Sequence, residues 1–102
     1  MSKVTNLILT CSVGEDEGEL IKQFSNFKYG GKEFKITSLD DSSWGTKRLE
    51  CIIFVGVYNH FPLSDFINFL KKDVNWYDLE RVQLFVKEQN DDLFSVLNLY
   101  SP

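Results

Sequence analysis

The chain has one histidine, His60, which lies where an apolar segment meets Pro62. A joint between a strand and a helix is a common place for functional residues in proteins that alternate these elements. A neutral imidazole there, beside Tyr58 and Asn59, can act as a general base if a carboxylate orients it. No nucleophile motif accompanies it, so the alternative is a polar strand end satisfied by the backbone. The sequence therefore offers Tyr58, Asn59 and His60 as a candidate pocket, with no assembled catalytic set.

Two pairs of adjacent aspartates, Asp40-Asp41 and Asp91-Asp92, lie in polar segments. Aspartate is favoured in turns, because its side chain bonds the nearby backbone, and this already explains both pairs. A hard cation needs oxygens that converge from several directions, which neighbouring residues do not supply. We therefore expect no metal site and no cofactor, and the acids remain candidates for facing a basic protein.

Trp44 is a large ring in a polar, glycine-containing segment. It can fold back onto the core, or it can serve as a contact for a partner. Tryptophan is enriched among the residues that dominate binding energy, and nearby acids would complement a basic surface. The predicted partner-binding residues are Asp40, Asp41, Trp44, Asp91 and Asp92.

The composition indicates one globular domain, residues 1–102, with a net charge of −4. An acidic chain argues against a nucleic-acid binder, whose footprint is a basic patch. No apolar run approaches the ~20 residues of a membrane span, and we expect a cytoplasmic protein. Cys11 and Cys51 are expected to be free thiols that pack as small apolar side chains in strands.

The periodicity of apolar residues predicts the elements. Residues 4–13 alternate as a strand, with Leu7, Leu9, Cys11 and Val13 on one face. Residues 15–27 and the segment after Pro62 have the spacing of helices. Acidic side chains in the first turns of the earlier helix interact favourably with the positive end of its dipole. Further strands are predicted at 34–37, 49–61 and from Val82, and residues 93–100 return as a hairpin partner after a turn at 90–92.

This order, β-α-β-β-α-β-β, predicts an α+β fold, a two-layer α/β sandwich. The closest standard topology is ferredoxin-like, with an added C-terminal hairpin strand. Phe85 falls on the face of its strand opposite Val82, Leu84 and Val86. It is exposed if that sheet face is open and core if the face is covered.

In its size, acidity and α/β pattern the chain resembles bacterial immunity proteins of polymorphic or contact-dependent toxin systems. The resemblance implies a cognate nuclease-type toxin with a basic cleft, which acidic and aromatic residues would block. The alternative is a small ligand-binding or enzymatic α/β domain with a pocket near Tyr58-His60. A homodimer through the open sheet face is compatible with either hypothesis.

Overall fold

The computed structural model describes residues 4–29, 32–33, 37–38 and 51–100. The elements are β1 (Val4–Ser12), α1 (Glu17–Phe24), β2 (Lys28–Tyr29), β3 (Lys32–Glu33), β4 (Thr37–Ser38), β5 (Cys51–Asn59), α2 (Leu63–Lys72), a 3-10 helix (Leu79–Arg81), β6 (Gln83–Glu88) and β7 (Ser95–Asn98). The main sheet has the order β4-β5-β1-β6-β7 and is antiparallel throughout. An α+β chain with two helices was predicted and is confirmed. The predicted strand residues 34–36, and the segment with Asp40, Asp41 and Trp44, lie outside the described residues.

Strand β1 is the centre of the sheet and alternates strictly between buried and half-buried residues. Its buried side carries Leu7, Leu9 and Cys11, as predicted, together with Thr5. Val13 was predicted on the same face, and this is wrong, because its side chain is 60% exposed. The strand ends at Ser12, and Val13 belongs to the turn that leads into α1.

Helix α1 begins at Glu17, two residues later than predicted, because Asp16 is its N-cap. The Asp16 side chain accepts a hydrogen bond from the Glu19 amide at 3.1 Å, the usual way of satisfying a free donor in a first turn. Leu20 and Phe24 are the buried residues of this helix.

Helix α2 begins directly after Pro62, which cannot donate a backbone hydrogen bond and suits a helix start. The apolar spacing of this segment predicts a buried stripe of Leu63, Phe66, Ile67, Leu70 and Val74. Phe66, Leu70 and Val74 are buried, and Leu63 and Ile67 pack partly buried against the core, but Val74 follows the end of the helix at Lys72.

The core between the helices and the sheet is rich in phenylalanine rings. Phe24 meets Phe54 of β5 edge-on, with ring centroids 5.1 Å apart. Phe27 and Phe66 make a similar contact at 5.2 Å. Edge-to-face pairs of this kind contribute about 0.5–1.5 kcal/mol beyond the buried area. The rings therefore tie α1 to the sheet and α2 to the segment that follows α1.

The second sheet face, opposite the one that carries Leu7 and Leu9, is less buried. Phe54 is the one fully buried residue of β5, whereas Cys51, Ile53 and Val55 on its other side are half-buried and Val57 is exposed. Phe85 shares that face and is likewise half-buried. Both sides of β5 are apolar in sequence, but they are not equally buried. The buried residues of the two described helices belong to the core on the face that carries Phe54.

Candidate functional site

The predicted pocket at Tyr58, Asn59 and His60 separates into a packed ring and two exposed side chains. Tyr58 folds back over Gly56, where a side chain would collide with the phenol ring. Its ring also stacks on Phe61, with centroids 4.8 Å apart. Asn59 and His60 are exposed, and His60 has a positive φ of 51° at the end of the strand. Tyr58 is therefore partly buried and packs against the core.

Asp91 and Asp92 lie on the surface at the turn between β6 and β7. The Asp91 carboxylate accepts a hydrogen bond from the Glu88 amide at 3.1 Å, and the Asp91 amide donates to the Glu88 carbonyl at 3.0 Å. Asp91 thus closes the turn while remaining exposed. Asp92 is exposed beside it, so its charge is available to a partner.

Exposed apolar side chains follow these acids directly. Leu93 is 80% exposed and Val96 is 52% exposed, and Phe94 and Tyr100 are also exposed. We call the set Asp91, Asp92, Leu93, Phe94, Val96 and Tyr100 the C-terminal hairpin surface. The four apolar residues fall within residues 93–100, directly after the two acids, and apolar side chains exposed beside charge are typical of a surface that another molecule covers.

Glu15 is a buried carboxylate that the sequence did not single out. Its side chain is only 6% exposed, and its two oxygens accept hydrogen bonds from the Tyr77 and Asp78 amides at 3.0 and 2.9 Å. Glu15 therefore joins the turn before α1 to the loop after α2. In the sequence it is one acid among several at a helix start, and no local signal marks it as different.

A cavity of about 240 Å³ lies beside this junction, lined by Glu15, Asp16, Glu19, Leu20, Gln23, Asn75, Trp76 and Tyr77. We call it the Glu15 pocket. Its loop is held in place because the Gln23 side chain accepts from the Asn75 amide at 2.7 Å. The Trp76 indole is likewise fixed, since its Nε1 donates to the Leu70 carbonyl at 2.8 Å.

The Glu15 pocket combines carboxylates with two aromatic rings. Tyr77 is 86% exposed at the pocket's rim, and aromatic faces attract cations. The volume is below the roughly 300–1,000 Å³ of pockets for drug-sized ligands. The pocket is therefore suited to one small cation or one basic side chain.

The two cysteines have different surroundings. Cys11 is buried, and burial, followed by the nearby charges of Glu15, Cys51 and Glu17, raises the pKa of its thiol to about 12. Its thiol is therefore protonated at neutral pH and unsuited to nucleophilic chemistry. Cys51 is half-buried and lines an open depression of about 720 Å³ on the second sheet face. Both cysteines are free, as predicted.

Within the described ranges, no three His, Cys, Asp or Glu side chains are placed to share a metal ion. In the same part of the chain, neither helix has the length and apolar character needed to cross a bilayer. The two cavities described above do not include Tyr58, Asn59 or His60.

Comparison with known proteins returned no relative of this chain. No protein-family model matches it, and no curated protein or solved structure matches it.

Proposed function

We propose that this protein is a small acidic binding module that binds and neutralises a basic protein partner. The C-terminal hairpin surface is the observation that carries the proposal. It presents exposed apolar side chains directly beside Asp91 and Asp92. Apolar anchors with a charged rim are what protein interfaces require. By its resemblance to bacterial immunity proteins, we take the partner to be a nuclease-type toxin domain in the bacterial cytoplasm.

The charge of this region supports a basic partner. Residues 89–100 contain two aspartates and no lysine or arginine, and the whole chain has a net charge of −4. Electrostatic complementarity of this kind accelerates association and disfavours acidic competitors. A basic cleft, as a nuclease needs for its substrate, would satisfy both acids.

The strand order supports a ferredoxin-like fold with one strand added. Strands β5 and β6 flank β1, and β4 and β1 flank β5, which is the arrangement of two interleaved βαβ units. Strand β7 then extends the sheet beyond β6. In this assignment the helices support the sheet, and the added strand β7 belongs to the surface that binds the partner.

The test is affinity purification of the tagged protein from its native host, with two matched variants. Val96→Lys places a charge in the C-terminal hairpin surface, and Val57→Lys makes the same change at an exposed position of β5. We expect a basic protein to copurify near equal stoichiometry with the wild type and with Val57→Lys, but not with Val96→Lys. We also expect the wild type to restore growth when that partner is expressed. No stoichiometric partner, or equal recovery with Val96→Lys, would refute the proposal.

The Glu15 pocket favours a second candidate function, a domain that binds a small organic cation. This site is separate from the predicted pocket at Tyr58-His60, because none of Tyr58, Asn59 and His60 lines the Glu15 pocket. Titration with n-butylammonium, followed through the Trp76 indole N–H signal, tests it against n-butanol as the neutral control. A shift with the cation alone supports the second function, and equal responses to both probes would contradict it.

A further inference from the structure

Among the described strands the main sheet has two outer edges, one on β4 and one on β7, and the edge of β7 is the one that adjoins the C-terminal hairpin surface. The inner edge of β7 pairs with β6, from Gln83↔Asn98 to Val86↔Ser95. Exposed sheet edges are usually protected by charges, proline or a bulge, since they attract other strands. The residues of β7 are Ser-Val-Leu-Asn, which include neither charge nor proline.

An apolar row leads across the sheet to this edge. On the second sheet face Val55 lies opposite Ile8, Ile8 lies opposite Phe85, and Phe85 lies opposite Val96. The first three are half-buried, whereas Val96 at the end of the row is 52% exposed. The other three have a neighbour on each side, whereas Val96 has only Phe85 among the described residues, and a further strand would supply its second cross-strand neighbour.

We propose that β7 accepts an extended segment of the basic partner as an additional antiparallel strand. This inference rests on the proposed function and specifies how the C-terminal hairpin surface would be used. Backbone hydrogen bonds to the edge would supply affinity, and side chains at alternate positions would supply specificity. The segment would place a β-branched residue opposite Val96.

The acids set the direction of the bound segment. Asp91 and Asp92 precede β7 in the chain, and in an antiparallel pair the C-terminal end of the added strand lies at that end. Lysine or arginine is therefore expected a few residues after the β-branched residue that faces Val96. A segment with its basic residues at the N-terminal end would place them near Tyr100 and leave Asp92 without a counter-charge.

Synthetic peptides test this directly. The probe is a short peptide of alternating valine and threonine that ends in two lysines, and the controls carry the lysines at the N-terminus or two glutamates at the C-terminus. Amide hydrogen exchange of β7, measured by NMR on the full chain, is the readout. We expect the probe to slow exchange at outward-facing β7 amides by about tenfold or more, with the glutamate peptide inactive and the reversed peptide weaker.

Two substitutions of equal charge separate the site from general acidity. Asp92→Asn removes the proposed counter-charge, and Asp73→Asn makes the same change at the exposed end of α2. We expect Asp92→Asn to weaken probe binding about two- to fivefold, the range for an exposed ion pair, and Asp73→Asn to leave it unchanged. Equal effects of the two variants would overturn the charge assignment.

Three further outcomes distinguish strand addition from the proposed function. If β7 amides become protected with rising protein concentration and no peptide, the edge serves a second copy of this chain, and the proposal is wrong. If a native partner binds while β7 exchange is unchanged, the proposed function stands and strand addition fails. If the probe protects β7 but no native partner is found, strand addition stands and the proposed function fails.

Discussion

Removal of the Glu15 carboxylate is the sharpest test of how this structure is held together. Glu15 is the one acidic residue among the described side chains that is buried, and it accepts hydrogen bonds from two consecutive backbone amides. These bonds join distant segments of the chain, since Glu15 and Tyr77 are separated by 62 positions. Glu15→Ala therefore separates the turn before α1 from the loop after α2.

The expected cost follows from the two bonds. A hydrogen bond to a charged group contributes about 1.5–3 kcal/mol. The two bonds share one carboxylate and are only partly buried, so they do not add fully, and we expect Glu15→Ala to lower the free energy of unfolding by about 2–4 kcal/mol. Glu15→Gln keeps one acceptor oxygen but turns an NH₂ group toward a donor, so about 1–2 kcal/mol is expected.

Urea unfolding measures the loss, and the Tyr77 and Asp78 amides report where it occurs. Both amides should exchange faster in Glu15→Ala than in the wild type. Glu19→Gln is the matched control, because Glu19 is an exposed acid in the first turn of α1 and its charge contributes only about 0.3–1 kcal/mol through the helix dipole. A loss in Glu15→Ala no larger than that in Glu19→Gln, with unchanged exchange at residues 77 and 78, would refute the reasoning.

Three further predictions concern Gly56 and the cysteines. Gly56→Ala should destabilise the fold by about 1–3 kcal/mol through overpacking, because its Cβ would overlap the Tyr58 phenol; a double-mutant cycle with Tyr58→Ala should recover part of the loss, and additive effects would contradict this. Iodoacetamide should alkylate Cys51 in the native protein and leave the buried Cys11 unmodified, which peptide mass mapping can verify. The free energy of unfolding should also fall as the pH rises from 9.0 toward 12, because the Cys11 thiol ionises in the unfolded chain while the folded one, with its pKa raised to about 12, stays protonated. The slope of this fall approaches about 1.4 kcal/mol per pH unit. Urea titrations across this range should show that Cys11→Ala removes this part of the pH dependence.

The main helices and strands were largely predictable because their signals are local. The alternation of Leu7, Leu9 and Cys11 marks a strand, and the spacing of Phe66 and Leu70 marks a helix, without knowledge of any distant residue. Val13 continues the alternation in sequence but follows the last residue of β1. Its exposure depends on where the chain turns to reach the Asp16 cap, so the pattern alone assigned it to the wrong environment.

The sites were less predictable because they depend on distant segments. Glu15 has its role because it binds the amides of residues 77 and 78. The residues next to Glu15 in sequence do not predict these bonds. Tyr58 lies two residues before His60, but the absence of a side chain at Gly56 lets the Tyr58 ring fold back along the strand. Asp91 and Asp92 were predicted as surface turn residues, and their exposure is confirmed; their role in binding stays a prediction.

The central position of β1 has a consequence for how the chain reaches its native state. Thr5 pairs with Glu88 and also lies opposite Tyr58, so the first strand is completed on both sides only by segments that are synthesised much later. Loops of this length must close before their contacts stabilise the sheet, which slows folding. During synthesis β1 would expose an apolar strand with no partner, and the nascent protein should depend on chaperones or on slow translation more than its small size suggests.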